Sequence, residues 1–256
     1  VIARGLALAA LLAAGTGEAR FAPRRDSPYR LTRVEERDEG GRTRRFVSAR
    51  QVVFTRDADG GYRALVTLET ASDSQADSAF AALARAMAGA PLVVLLDRAG
   101  QPRAVRDLDA IWGRLRAGIT EAATDPALRE ALWRLHDGAT TTQRLQVVAG
   151  PLLAVLAPDD ADRVAGTRPV TLPAEGVGPA MAMTGEETVA RDGGRIVVTT
   201  TATAQGTIGV RRLRRMRVVD RRSGLVVEQR DDQRLEASGR SVGSRTRITL
   251  TPAPVS

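Results

Sequence analysis

An α+β fold is what this chain predicts: a curved antiparallel sheet of about eight or nine strands wrapped around a mid-chain cluster of helices. Three observations carry that expectation. Both ends of the sequence read as strands with a period of two, separated by Asp/Gly turns. The middle reads as helices with a period near 3.6. The order of strand meander, helical cluster and longer meander suits one sheet with helices packed on one face.

The first meander is "YRLTRVEER", a turn at "DEGG", "RTRRFVSARQVVFTR", a turn at "DADGG", and "YRALVTLET". In the last piece Tyr62, Ala64, Val66 and Leu68 alternate with Arg63, Leu65, Thr67 and Glu69, the pattern of a half-buried strand. "SDSQADSAFAALARAMAGAP" predicts a helix over Ser74 to Ala88, from its alanine-rich centre and Gly-Ala-Pro close. Leu92 to Leu96 follow as a buried strand, with a turn at Arg98 to Pro102. From Asp107 a stripe of Leu108, Ile111, Trp112, Leu115, Ile119 and Ala122 marks an amphipathic helix. Asp125 and Pro126 open the next helix as N-cap and first helical residue, and Gly138 closes it. In "TTQRLQVVAGPLLAVLAP" the Gly150-Pro151 pair is expected to kink or split a third helix that lies deepest in the fold. The final stretch predicts five strands. The domain plan is residues 28–251 as one unit: strands over 28–70, helices and a hairpin over 72–157, and strands over 168–251.

The N-terminal stretch "VIARGLALAALLAAGTGEARFAP" has Arg4, an apolar run from Gly5 to Ala14, and small residues up to Ala19. That is the layout of a secretory signal peptide over residues 1–19, cleaved near Ala19. Its run of about ten apolar residues is half the length of a membrane span. Residues 20–27 are expected as a flexible lead-in. Export to the periplasm follows, and with it the expectation that this is not an integral membrane protein.

Composition narrows the partners. The formal charge is +8 with a pI of about 11.2, yet all 38 basic residues are arginine and asparagine is also absent. Arginine-only basicity beside abundant alanine, glycine and valine points to a GC-rich bacterial genome more than to a nucleic-acid binder, for which either basic side chain neutralises phosphate. There is no cysteine, which excludes disulfides, thiolate catalysis and zinc–cysteine sites.

"GVRRLRRMRVVDRRSGLVVEQR" holds seven arginines between Arg211 and Arg222. Asp220 and Gly224 bracket a turn between Val218-Val219 and Leu225-Val226-Val227, so the stretch reads as a hairpin. Glu228, Asp231 and Asp232 on the returning strand are near enough to pair with the arginines. No aromatic residue lies within it, so the stacking platform of a single-strand binder is missing. The expectation is a solvated sheet face with its guanidinium groups turned outward.

Searches for chemistry return little. His136 is the sole histidine, at a helix C-terminus where it answers the helix dipole. There is no Gly-x-Ser-x-Gly elbow, no lysine for a Schiff base and no phosphate loop. "DADG" at Asp57 to Gly60 lacks the remaining ligands of a calcium loop and reads as a turn. Asp159, Asp160 and Asp162 read as the start of a solvated loop. Glu35-Glu36 and Glu186-Glu187 are adjacent on strands, so each pair points to opposite faces and cannot flank one glycosidic bond. No catalytic residue, cofactor or metal ligand is expected.

The order of elements over residues 28–251 resembles, as architecture, the half-barrel carriers of the bacterial envelope that shuttle lipoproteins or lipids across the periplasm. That resemblance implies a non-enzymatic protein holding an apolar ligand, a lipid or acyl chain, between sheet and helices. The apolar residues of the helical middle supply the expected lining: Trp112, Leu115, Ile119, Trp133, Val148, Leu152 and Leu156. The alternative is an envelope assembly or scaffold protein that binds another protein through a sheet edge or the arginine-rich face. Nucleic acid is not an expected partner.

Overall fold

The computed structural model of the chain describes residues 21–253, except 40, 74–83, 85–86, 88–89, 124, 161, 173–181, 207–208 and 238. The signal peptide expected over residues 1–19 lies outside the described residues. So does the helix expected over Ser74 to Ala88, apart from Ala84 and Met87, both helical.

Alternating sequence and Asp/Gly turns build eleven strands. They are β1 (Pro28–Glu39), β2 (Arg42–Arg56), β3 (Tyr62–Asp73), β4 (Leu92–Leu96), β5 (Pro102–Val105), β6 (Gly166–Leu172), β7 (Met183–Asp192), β8 (Arg195–Gly206), β9 (Gly209–Asp220), β10 (Leu225–Ala237) and β11 (Arg240–Pro252). Three helices fall between β5 and β6: α1 (Leu108–Ala122), α2 (Pro126–Asp137) and α3 (Thr141–Leu153). The sheet is antiparallel and open, in the order β5-β4-β3-β2-β1-β11-β10-β9-β8-β7-β6. Eleven strands replace the eight or nine expected. The two not foreseen, β5 and β6, are the edges, and each contains a proline, Pro102 or Pro169. Proline is tolerated at an edge because the ladder there is one-sided, which is also why both strands read as loops in the sequence.

Two meanders meet where the first and last strands pair, with Leu31 opposite Leu250 and Arg33 opposite Ile248. The helices must therefore cross from one sheet edge to the other. A flat sheet of this width would set those edges roughly 48 Å apart. Curvature shortens the crossing and lets one buried cluster draw on every strand from Val105 in β5 to Val189 in β7, together with Trp112 of α1 and Leu152 of α3. We call the face that packs on the helices the inner face.

Local signals behave as their chemistry requires. The Asp125 carboxylate accepts from the Ala127 amide at 2.9 Å, with Pro126 in the first turn of α2. The β9–β10 turn is closed by the Gly224 amide donating to the Asp220 carbonyl at 2.9 Å, and Gly224 takes a left-handed φ of 69°. The Asp57–Gly61 turn closes in the same way, its Gly60 amide donating to the Asp57 carbonyl. The third helix does not split at Gly150-Pro151. It continues through Pro151 to Leu153, and Pro151, having no N–H, leaves the Val147 carbonyl without its helical donor.

Residues 20–27, expected to enter flexibly, include a core anchor. Phe21 is 3% exposed, stacks edge-on against Phe54 and Tyr62, and its carbonyl accepts from the Tyr62 hydroxyl at 3.0 Å. Gly100 makes room for its ring: a Cβ there would sit 2.4 Å from the ring, at a φ of +82°.

The arginine hairpin corrects the expectation of a solvated, outward-turned face. Strand alternation divides its arginines. Arg212 and Arg214 are exposed on the outer face, whereas Arg211, Arg215 and Arg217 share the inner face with Val219 and are half-buried. Acidic partners, Asp231 for Arg215 and Asp160 for Arg217, take the place of water there. The loop reading of Asp159, Asp160 and Asp162 also changes. Asp160 closes a short 3-10 turn (Pro158–Asp160) and is 2% exposed.

Candidate functional site

The inner face has two zones, written in the register. Toward the β9–β10 turn it is apolar: Leu31, Leu250, Ile248, Val226, Val219, Val198 and Val189 lie in one cluster with α1 and α3. Two residues further along the same strands, three across the bulge in β10, it becomes polar. Gln229 stands opposite Arg217 and Ile248, Asp231 opposite Arg215 and Thr246, and Gln233 opposite Ser244.

Helix α3 bridges the two zones, with a different face for each. Val148, Ala149, Pro151 and Leu152 pack into the apolar zone against Val66 and Leu92, leaving a void of only about 20 Å³. Gln143, Gln146, Val147, Gly150, Leu153 and Ala154 recur with helical spacing on another face. That face roofs a groove of about 540 Å³ whose floor is Arg33, Arg211, Arg215, Arg217, Gln229 and Gln233 of the sheet. Leu156, just past the helix, closes its apolar end. A neighbouring hollow of about 420 Å³ shares Arg33, Arg211 and Gln233 and continues along the inner face toward Leu235 and Val242. Volumes of this size fit a small-molecule ligand.

The helix–sheet interior expected to be lined by seven apolar residues is therefore mostly packed. Trp112, Leu115, Val148 and Leu152 are buried in the main cluster, and Leu156 packs against it. Trp112 stacks on His136 with ring centroids 4.4 Å apart and donates its indole N–H to the His136 carbonyl at 3.3 Å. Ile119 and Trp133 are half-buried and stand apart from that cluster, Trp133 between the guanidinium groups of Arg116 and Arg129. Of the seven, Leu156 alone borders the groove. The groove arginines read as solvated in the sequence because Arg212 and Arg214 break the alternation along β9. Continuing the apolar alternation of Val219 backward along β9 would have put Arg217 and Arg215 on the inner face.

Carboxylates beside the floor hold the guanidinium groups in place, and Glu35 among them lines the adjoining hollow. Arg33 pairs with Glu35 at 2.6 Å, Arg215 with Asp231 through two bonds of 3.1 Å, and Arg217 with Asp160 at 2.9 Å. Asp160 also takes Arg163 at 2.6 Å, and Glu187 takes Arg163 and Arg168. Burial raises the Asp160 carboxyl above its ordinary value against the pull of Arg217 and Arg163. Burial likewise lowers the Arg217 guanidinium, with Asp160 opposing. Burial also works against the Glu187 charge, but hydrogen bonds from Arg168 and Arg163 outweigh it and hold this carboxyl below its ordinary value. Nearby, burial and Arg33 push Arg50 down to about 10.

The glutamates divide as strand alternation requires: Glu35 and Glu187 are buried, whereas Glu36 is half-buried and Glu186 exposed. Glu35 and Glu187 share the inner face but lie five strands apart, roughly 24 Å in a flat sheet, and each is taken up by arginines. Among the described residues no group of three or more His, Asp or Glu side chains is placed to hold a metal ion. No helix among them is long and apolar enough to cross a membrane.

No protein-family model matches the chain, and no curated protein is significantly similar to it. Solved structures similar to it include lipovitellin, described for its lipid–protein interactions, with a TM-score of 0.47 and 9% identity over 93% of this chain and 26% of that one. MucB is similar with a TM-score of 0.26 and 12% identity over 91% of this chain and 55% of that one. MucB in complex with MucA(peri) gives a TM-score of 0.26 and 14% identity over 90% and 53%. The chain thus spans about a quarter of the lipovitellin chain and about half of MucB. At these scores the likeness is weak and lies in architecture.

Proposed function

We propose that this chain is an exported, non-enzymatic binding protein that holds an amphiphile, a lipid or acyl-chain compound, in the groove between α3 and the inner face of the sheet. One observation carries the reading. The helix–sheet space is filled on one side of α3 and open on the other, where the apolar residues Val147, Leu153 and Leu156 face a polar floor. Val147 is 49% exposed, an apolar surface beside a hollow large enough to be covered by a ligand. The apolar ligand expected from the sequence thereby moves from the core into this groove, and gains a polar end.

Mass spectrometry of lipids that co-purify with the protein extracted from the periplasm tests this. A defined amphiphile in the wild type, depleted in a Val147→Asp variant of unchanged stability, is the expected result. A wild-type preparation free of any lipid or acyl compound rejects it.

Binding of another protein through a sheet edge is the weaker reading. Both edges carry a proline, and Pro169 interrupts the donors of the exposed strand β6. Cross-linking in cells separates the two, since a scaffold would trap one dominant protein and no lipid.

A further inference from the structure

Resting on that reading, we infer that the head of the bound amphiphile is an oxyanion, a phosphate, sulfate or carboxylate, held by Arg33, Arg211, Arg215 and Arg217. The wall composition is the first reason. Four guanidinium groups and four glutamine amides border the groove, and no carboxylate does. Those side chains supply an array of N–H donors with only amide oxygens among them as acceptors.

Charge balance is the second reason. Two of the three acids at the floor are shared: Glu35 serves both Arg33 and Arg37 at 2.6 Å, and Asp160 serves both Arg163 and Arg217, while Asp231 serves Arg215 alone. Arg211 has the Gln233 amide oxygen at 2.8 Å and, among the described residues, no carboxylate within ion-pair distance. Positive charge is therefore in excess along a half-buried surface, where screening is weaker than in water.

The shape of the donors is the third reason: guanidinium forks match the spacing of oxyanion oxygens, and four of them border one groove. An anionic head on these groups places an attached chain beside Val147, Leu153 and Leu156. The same oxyanion chemistry would also accept free phosphate, so the test must separate the two sources.

Calorimetric titration of the purified chain with dodecyl phosphate, dodecyl maltoside and inorganic phosphate, each below any micelle-forming concentration, does so. Dodecyl phosphate is expected to bind more tightly than either of the others by about tenfold or more, the scale of one charge-assisted hydrogen bond. Arg211→Gln and the near-isosteric Gln233→Glu, which places a carboxylate on Arg211, should each abolish that advantage and leave maltoside binding unchanged. Arg214→Gln, on the exposed outer face, should leave all three unchanged. Equal binding of the phosphate and maltoside amphiphiles overturns the head-group assignment and leaves the amphiphile reading standing. Inorganic phosphate binding as tightly as dodecyl phosphate keeps the oxyanion site and overturns the amphiphile. No binding of any probe overturns both, and a loss in Arg214→Gln equal to that in Arg211→Gln overturns the location.

Discussion

Arg217 on β9 and Asp160 in the turn after α3 lie 2.9 Å apart with Asp160 2% exposed, a buried ion pair that ties the helix-to-β6 crossover to the middle of the sheet. Such a pair stabilises little relative to apolar residues of the same size, but breaking it leaves a buried charge without a partner. Arg217→Met, which leaves the buried Asp160 carboxylate to Arg163 alone, is expected to lower stability by about 3 kcal/mol. Asp160→Leu combined with Arg217→Met should recover most of that loss. Urea midpoints of the two variants check it, and a double variant as unstable as the single one would contradict the pairing.

The two acids of this cluster respond to pH in opposite senses. Glu187, ordinarily at 4.5, is held lower in the fold, so its contribution is full above that value and is lost as pH falls through the lowered one. Asp160, ordinarily at 3.8, is raised, so the folded state takes up its proton first and stability from this group increases as pH falls toward 3.8. Glu187→Gln should therefore flatten the wild-type loss of stability on acidification below about pH 4.5, and Asp160→Asn should steepen it. Urea midpoints measured across that range test both signs, and profiles parallel to the wild type would reject them.

Arg50 borders Val66, Leu92, Val148 and Leu152 and hydrogen-bonds the Ser48 hydroxyl at 2.7 Å, so its charge sits against apolar packing. Replacing it by methionine removes the desolvation cost while keeping most of the volume. Arg50→Met is expected to leave stability unchanged or raise it by about 1–2 kcal/mol. A clear drop in thermal midpoint would show that the guanidinium holds the site together.

The two tryptophans should behave differently. Trp112 lies in filled core, so Trp112→Ala is expected to cost about 3–5 kcal/mol. Trp133 is half-buried between two arginines, and Trp133→Ala should cost about 1 kcal/mol. Denaturant unfolding of both, compared under one condition, distinguishes a packed helix–sheet interface from a ligand cavity around Trp112. Equal small losses would mean that the space beside Trp112 yields.

By itself the sequence determined the elements whose signals are local. Alternation and Asp/Gly turns marked nine strands, Asp125-Pro126 marked the start of α2, and the position of the helices between two meanders marked a sheet packed on one face. Strands β5 and β6 escaped because their prolines read as loop, and proline can join a ladder only when one side of it is empty, a fact of strand order rather than of sequence. Tertiary structure alone decided which face each arginine meets. A period of two places Arg211, Arg215 and Arg217 on one side, but whether that side is water or interior depends on how far α3 reaches across the curved sheet. It depends also on Glu35 and Asp160, distant in the chain, arriving beside the same floor.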